Sequence, residues 1–391
     1  MRIARGDGVA LARALVQTDS RNPTLVPGGP GEGDVARLLC SVLQEWGFHA
    51  ELMPASPGRP NVVARIGKPG GRSLMFNGHL DVVGVEDMMH APFDAHEEHG
   101  RIYGRGASDM KGGVAAMCAA AARASDSLGD GEIIVAAVVD EEYESLGTRE
   151  LVRSGIRADA AIVTEPTRLA IMPAHRGFAW YDVQLTGRAA HGSRYDIGRD
   201  AILHAGLVLA EIGVLDTEIL GSRPQHALLG RPSIHASLIE GGTGMSTYPE
   251  RCSIKLERRT LPGERPESIH AEVEAACERA RRRRPELDAT VRVLLVQASS
   301  DVSTSAPIVR ALHHALESCD EEVRIAGMSA WTDAAILNEA GIPSICFGPG
   351  DMSLAHAAEE YIEVDEIRRA TDVLVRLATE WCASGEDAWH S

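Results

Sequence analysis

Residues 132–142 read EIIVAAVVDEE. The apolar run Ile133–Val139 ends abruptly on three carboxylates, Asp140, Glu141 and Glu142, as a buried strand does when it delivers acidic side chains to its carboxyl end. Adjacent carboxylates there repel one another unless a cation or a shared proton compensates them. A bound metal removes that cost. Because neighbours on an extended segment face opposite ways, one glutamate can hold the metal while the other handles a proton. An exposed acidic turn is the plainer alternative.

Outward from this stretch, short apolar runs recur between helical ones: NVVARI (61–66), SLMFNGHLDVV (73–83), AAIVTE (160–165) and PSICFGPG (343–350). Helical spacing of Val35, Leu38, Leu39, Val42 and Leu43, with Gly47 as a stop, marks an amphipathic helix. Strands alternating with helices predict an α/β layered domain whose chemistry collects in loops at the carboxyl ends of its strands. From about Gly177 the texture changes to WYDVQLTG and SIKLERRTL, interleaved with helices around 199–213 and 266–283, which predicts a separate α+β insert. The strand and helix alternation resumes after about 300 and ends in a helix over 364–383. The expected division is a discontinuous catalytic domain, 1–176 and 300–391, interrupted by an insert, 177–299.

Four further segments carry candidate chemistry. In FNGHLDVV, His79 and Asp81 are two apart on an extended segment and share a face, as a ligand histidine and its orienting carboxylate do; a structural polar pair is the alternative. In GRGASDMKGG the glycines permit a tight turn into a helix around Asp109, and Asp109 occupies the third-glycine position of a dinucleotide fingerprint, which excludes that reading. AIVTEP puts Glu165 at a strand end, and CFGPGDMSLAHAAEEY places His356 after a Gly-Pro-Gly turn. Two histidines and several carboxylates at strand ends form a nitrogen and oxygen donor set suited to Zn²⁺ or a similar ion. One carboxylate bridging two ions is the economical arrangement. Such a site polarises a carbonyl and acidifies water, which amide hydrolysis needs.

Bulk properties exclude several classes. The 56 acidic against 39 basic residues give a net charge of -17, which opposes binding to nucleic acid or anionic membranes. ERARRRRPE (278–286) reads as the basic end of a helix. The apolar stretch GVALARALV (8–16) is broken by Arg13 and follows Asp7, so neither a signal peptide nor a membrane span is expected. Seven scattered cysteines without C-x-x-C spacing suit a reducing cytoplasm. His90, His96, His99, His313 and His314 read as solvated, His175 as a packing residue or hinge, and Trp331, Thr332 and Asp333 as site wall.

Taken in order, these motifs resemble the dinuclear-zinc amidohydrolases that include acetylornithine deacetylase, succinyl-diaminopimelate desuccinylase, aminoacylase and the glutamate carboxypeptidases. The resemblance implies a zinc-peptidase-like mixed-sheet catalytic domain, with the insert as a lid that pairs two subunits into a homodimer. It implies two Zn²⁺ per subunit, with Co²⁺ or Mn²⁺ as substitutes. His79, Asp109 and Glu165 would hold one ion, and Asp109, Glu142 and His356 the other. Glu141 would be the general base, and Asp81 would orient His79. His191, in TGRAAHGSRYDIGRDAI, would reach the partner's site to stabilise the oxyanion. Arg259 would bind the substrate carboxylate, with Ser246 and Gly348 also facing substrate. Ser246, Tyr195 and Asp200 depart from the Asn, Pro and Asn common in the family. The expected reaction is hydrolysis of an N-acyl amino acid; the alternatives are a di- or carboxypeptidase and a catalytically silent ligand-binding relative.

Overall fold

A computed structural model of the chain describes residues 2–383; residues 1 and 384–391 of the expected catalytic domain lie outside the described residues. The strands in chain order are β1 (His49–Ser56), β2 (Arg59–Gly67), β3 (Ser73–His79), β4 (Glu97–Glu98), β5 (Arg101–Tyr103), β6 (Glu132–Val138), β7 (Ala160–Val163), β8 (Ile171–His175), β9 (Gly177–Thr186), β10 (Ser233–Gly241), β11 (Arg251–Thr260), β12 (Asp288–Gln297), β13 (Ser300–Asp301), β14 (Ile325–Met328), β15 (Ser344–Cys346) and β16 (Tyr361–Glu363). The chain divides into two compact units. One is Met1–Pro173 with Val302–Ala326 and Thr332–Ser391; the other is Ala174–Asp301 with Gly327–Trp331.

The first unit is α/β, built on a mixed sheet in the order β1-β2-β6-β3-β7-β15. β1 and β2 run antiparallel at one side, whereas β6, β3, β7 and β15 are parallel neighbours. Every residue of β6 and β7 is buried, as the run of Ile, Val and Ala that follows Glu132 in β6 and fills β7 requires of strands covered on both faces. The Ala-rich helix Gly112–Ala124 is buried except at Arg123, because its small side chains let it press against its neighbours. It packs against the helices Gly8–Val16 and Val364–Ala383. The latter contributes Ile367, Leu374, Leu377 and Trp381 to the core, and burying each such side chain is worth ~1.5–3 kcal/mol. The parallel arrangement has one functional consequence: β3, β6, β7 and β15 end at the same edge of the sheet.

The second unit is α+β. Its antiparallel sheet, β10-β11-β9-β12, packs through alternate residues against the helices Ala201–Val214 and Pro266–Arg283. The second helix begins with proline in its first turn and ends on Arg281–Arg283. Arg279 and Arg283 pair with Glu211, and Arg281 pairs with Glu278, so these arginines of the basic run are engaged within the unit. Among the described residues no helix is long and apolar enough to cross a membrane.

Candidate metal centre

The candidate ligands arrive from strand ends of the first unit, apart from Asp109, which a turn before a helix presents. His79 closes β3, Glu141 and Glu142 follow β6, Glu165 follows β7, and His356 lies beyond β15. Asp109 sits in the irregular turn Ala107–Lys111 that leads into helix Gly112–Ala124. His79 Nε2 is 3.0 Å from Asp109 Oδ1 and 3.9 Å from Glu141 Oε2. His356 Nε2 lies 3.0 and 3.1 Å from the two oxygens of Glu142 and 3.6 Å from Asp109 Oδ2. Asp109 therefore turns one oxygen to each histidine. Single ligand atoms of His79, Asp109 and Glu142 lie within 4.8 Å of one another, as do those of His79, Glu141 and Glu165. Spacing alone therefore brings Glu141, too, within ligand range.

The protonation chemistry of this cluster fits a cation. His79 Nδ1 is 3.0 Å from the main-chain carbonyl of Asp81, which can only accept, so Nδ1 carries the hydrogen and Nε2 can offer a lone pair. Burial pushes the Glu141 carboxyl well above the usual range; His79 opposes that shift, while Glu165, Asp333 and Glu142 add to it. Glu165 is raised in the same way, by burial and then by Asp109. For His79, burial disfavours the charged ring, but the hydrogen bond to Asp109 and the charges of Glu141, Asp109 and Asp81 outweigh it and raise the pKa well above the usual value. Fully ionised, Asp109, Glu141, Glu142, Glu165 and Asp333 would carry more negative charge than His79 and His356 can balance, which is why burial and mutual repulsion favour their protonated forms when no cation is bound. A divalent cation supplies the difference and satisfies the donor set at once.

Behind the cluster lies a polar network of which local sequence patterns reveal only Asp81. The Asp81 carboxylate accepts the backbone N–H of Glu141 at 3.1 Å and of Glu142 at 3.2 Å, and its Oδ1 is 3.6 Å from His79 Nδ1. Asp81 thus steers His79 through its carbonyl and both glutamates through its side chain. Asn22 donates to Asp81 and to Asp140, at 2.9 and 3.0 Å. Buried Arg59 forks onto Glu32, 2.7 Å to each oxygen, and reaches Asp140 at 2.8 Å. These bonds hold Asp140 at φ +68, a left-handed conformation uncommon outside glycine, where the chain turns from β6 into Glu141.

Gly348 packs against main chain: a Cβ there would stand 2.6 Å from the Thr164 oxygen and 2.7 Å from that of Glu165. Only hydrogen fits in that space, and the Gly348 amide donates to Thr167 Oγ1 at 3.1 Å. His191, Ser246 and Arg259 belong to the second unit. His191 is exposed, with Nδ1 2.8 Å from Ser193 Oγ, and Gly192 donates to the Ser246 carbonyl at 2.7 Å. Arg259 pairs with Glu257 at 2.8 Å and lies over the Phe178 ring. Asp200 caps the helix Ala201–Val214 through Leu203 N, a task Asn performs equally well, and Tyr195 is exposed. His175 is buried, and burial lowers its pKa to about 4; Trp331 packs edge-on against it. His90 and His96 depart from the solvated reading, since both pack on Tyr103, His96 in a stack at 4.8 Å. Asp333 is buried and accepts from Thr148 at 2.6 Å.

Three comparisons bear on this arrangement. The pattern described as Peptidase family M20/M25/M40 matches residues 75–380. An acetylornithine deacetylase of Myxococcus xanthus is 31% identical over 353 residues, 87% of this chain and 90% of its own. An N-formyl-4-amino-5-aminomethyl-2-methylpyrimidine deformylase of Bacillus subtilis is 28% identical, covering 96% of this chain and 94% of its own. Among solved structures, the M20 family metallo-carboxypeptidase Sso-CP2 of Sulfolobus solfataricus superposes with a TM-score of 0.80 at 19% identity, over 97% of this chain and 100% of its own.

Proposed function

The chain belongs to peptidase family M20/M25/M40, enzymes that hydrolyse amide bonds, and we propose that it removes the acyl group from an N-acyl amino acid at a two-zinc centre. The observation that carries the proposal is Asp109, with Oδ1 3.0 Å from one histidine and Oδ2 3.6 Å from the other. His79, Asp109 and Glu165 hold one ion, and Asp109, Glu142 and His356 the other. Bound there, the ions supply carbonyl polarisation and acidify water. Glu141 accepts the proton of the attacking water and delivers it to the leaving amine nitrogen. Asp81 and the Asn22–Asp140–Arg59 network hold the backbone from which Glu141 and Glu142 project. The products are a carboxylate and a free amine.

The acetylornithine deacetylase relative supports the deacylase reading of the substrate. Hydrolysis of a panel of N-acetyl, N-succinyl and N-formyl amino acids beside dipeptides, with Zn²⁺ or Co²⁺ added, tests it. Cleavage confined to dipeptides moves the assignment to a peptidase, and no cleavage of any member at full metal loading leaves only a silent relative. Arg259 serves as the carboxylate clamp of this proposal, because a guanidinium matches a carboxylate through two parallel hydrogen bonds. Charged hydrogen bonds contribute about 1.5–3 kcal/mol, so Arg259→Lys is expected to lower kcat/KM by roughly 10- to 100-fold. A substrate amidated at its α-carboxylate should lose a similar factor with the unaltered enzyme; equal cleavage of amide and acid removes Arg259 from this role.

The second unit serves in this proposal as a pairing domain. β10 is an edge strand with Leu238 68% and Ile239 55% exposed, and helix Ala201–Val214 exposes Ile202 and Leu203. Long apolar edges invite another strand. A two-fold dimer closes that edge, and His191 of the partner subunit supplies an N–H to the oxyanion. Light scattering at micromolar concentration should report a dimer that Leu238→Lys dissociates, while a monomeric wild-type chain overturns the pairing.

A further inference from the structure

Glu360 is fully buried, yet the chemistry above gives it no task. Its Oε1 accepts the backbone N–H of Ser108 at 3.0 Å and of Asp109 at 3.1 Å. Its Oε2 accepts Arg105 Nη1 at 2.7 Å and the N–H of Gly106 at 3.1 Å. One carboxylate therefore gathers the turn that presents Asp109, from a position more than 250 residues away in the chain. A buried carboxylate costs several kcal/mol when it lacks partners; four donors, one of them a guanidinium, offset that here.

The same stretch of backbone carries His356. Nine residues before Glu360, Asp351 exchanges two hydrogen bonds with Ser108 Oγ, at 3.0 and 3.1 Å, and Arg105 also reaches the Ala357 carbonyl at 3.3 Å. His356 lies between these two points of attachment, its backbone left-handed at φ +61 and its side chain exposed. Its ring is met by the Glu142 oxygens, 3.0 and 3.1 Å from Nε2, and is not enclosed by burial as that of His79 is. The backbone that carries His356 is held near Asp109 by how the segment 351–360 is fastened to the turn 105–109, and the Glu360 side chain provides four of those bonds.

We infer that Glu360 is a positioning residue that holds Asp109 and His356 at ligand distance and so sets the affinity of the second metal position. The inference rests on the two-metal reading. In Glu360→Gln an NH₂ group replaces one acceptor oxygen, so the side chain can no longer serve both pairs of donors. Co²⁺ titration of the metal-free protein, followed by its visible absorption, reads the two equivalents separately, and thermal unfolding of the metal-free chain monitors the fold.

The expected result is a second equivalent weakened by about 10- to 100-fold, the range for outer partners of metal ligands, and by more than the first, which shares Asp109 but not His356, whatever lowering of the metal-free melting temperature the unpaired donors bring. Two wild-type affinities in the variant overturn the inference, as does equal weakening of both equivalents together with a fall in melting temperature, since that marks a brace of the fold alone. Glu360→Asp keeps the charge but retracts it by one methylene, and it is read by the same titration if the glutamine variant fails to fold. Uptake of fewer than two equivalents by the wild-type chain defeats the two-metal reading itself, before any variant is made.

Discussion

Exhaustive chelation is expected to abolish amide hydrolysis, and Zn²⁺ or Co²⁺ to restore it. Lewis-acid stabilisation of the transition state is worth several kcal/mol, so the loss should be about 10³-fold or more. Full activity after chelation, with metal content checked by elemental analysis, would defeat the assignment. The same treatment has a stability readout with a definite sign. In the metal-free protein Glu141, Glu142 and Glu165 have raised pKa values, chiefly because burial disfavours their charged forms, and His79 is raised by its acidic neighbours despite burial. A folded-state pKa above the unfolded value means that the folded chain binds protons which the unfolded chain releases. Metal-free stability is therefore present at low pH and lost as the pH rises through the raised values. Metal reverses the trend, because its ligands bind it deprotonated, and 100-fold excess over Kd adds about 2.7 kcal/mol. A metal-free melting temperature that rises with pH through this range contradicts the charge balance proposed for the cluster.

The α/β alternation and the limits of two helices, Pro266–Arg283 and Val364–Ala383, are legible in the sequence because helical and strand periods are local. The candidate ligands His79, Glu142 and Glu165 are legible for a related reason, since an apolar run that stops on His or acidic residues is a local pattern, and Asp109 and His356 are marked by the glycine-bearing turns beside them. What supports them, Asp81 apart, is not. Asn22, Glu32 and Arg59 stand in short polar stretches, RNPTLV, PGEGDV and SPGRPN, that look like ordinary loops. Their partners lie 27 to 118 residues away, and no period or spacing announces such contacts. Glu360 is hidden likewise, one of two adjacent glutamates in AEEY whose side-chain bonds span more than 250 residues. Gly348 attracts attention as part of a Gly-Pro-Gly turn, but its small size is required by the main chain of Thr164 and Glu165. His90 and His96 show the converse: polar neighbours in the sequence suggest solvent, while Tyr103 supplies a stacking surface.

The two glutamates after β6 are of identical chemistry, and geometry leaves both within reach of a cation; their difference is expected in their variants. Glu142 receives His356 Nε2 on both oxygens, which suits a ligand of the second position, whereas the His79 Nε2 that faces Glu141 is 3.9 Å away. Glu141→Gln preserves size and polarity but cannot accept a proton, so kcat should fall by about 10²- to 10⁴-fold, the range of general acid-base catalysis. Metal content and KM should hold, because no ligand is removed and the backbone amide at position 141 still bonds to Asp81. Glu142→Gln withdraws an anionic ligand, so metal occupancy should fall and excess metal should recover part of the rate. Elemental analysis beside steady-state kinetics at two metal concentrations separates the cases. If Glu141→Gln loses metal that an excess restores, while Glu142→Gln keeps both ions and loses only turnover, the roles of base and ligand must be exchanged.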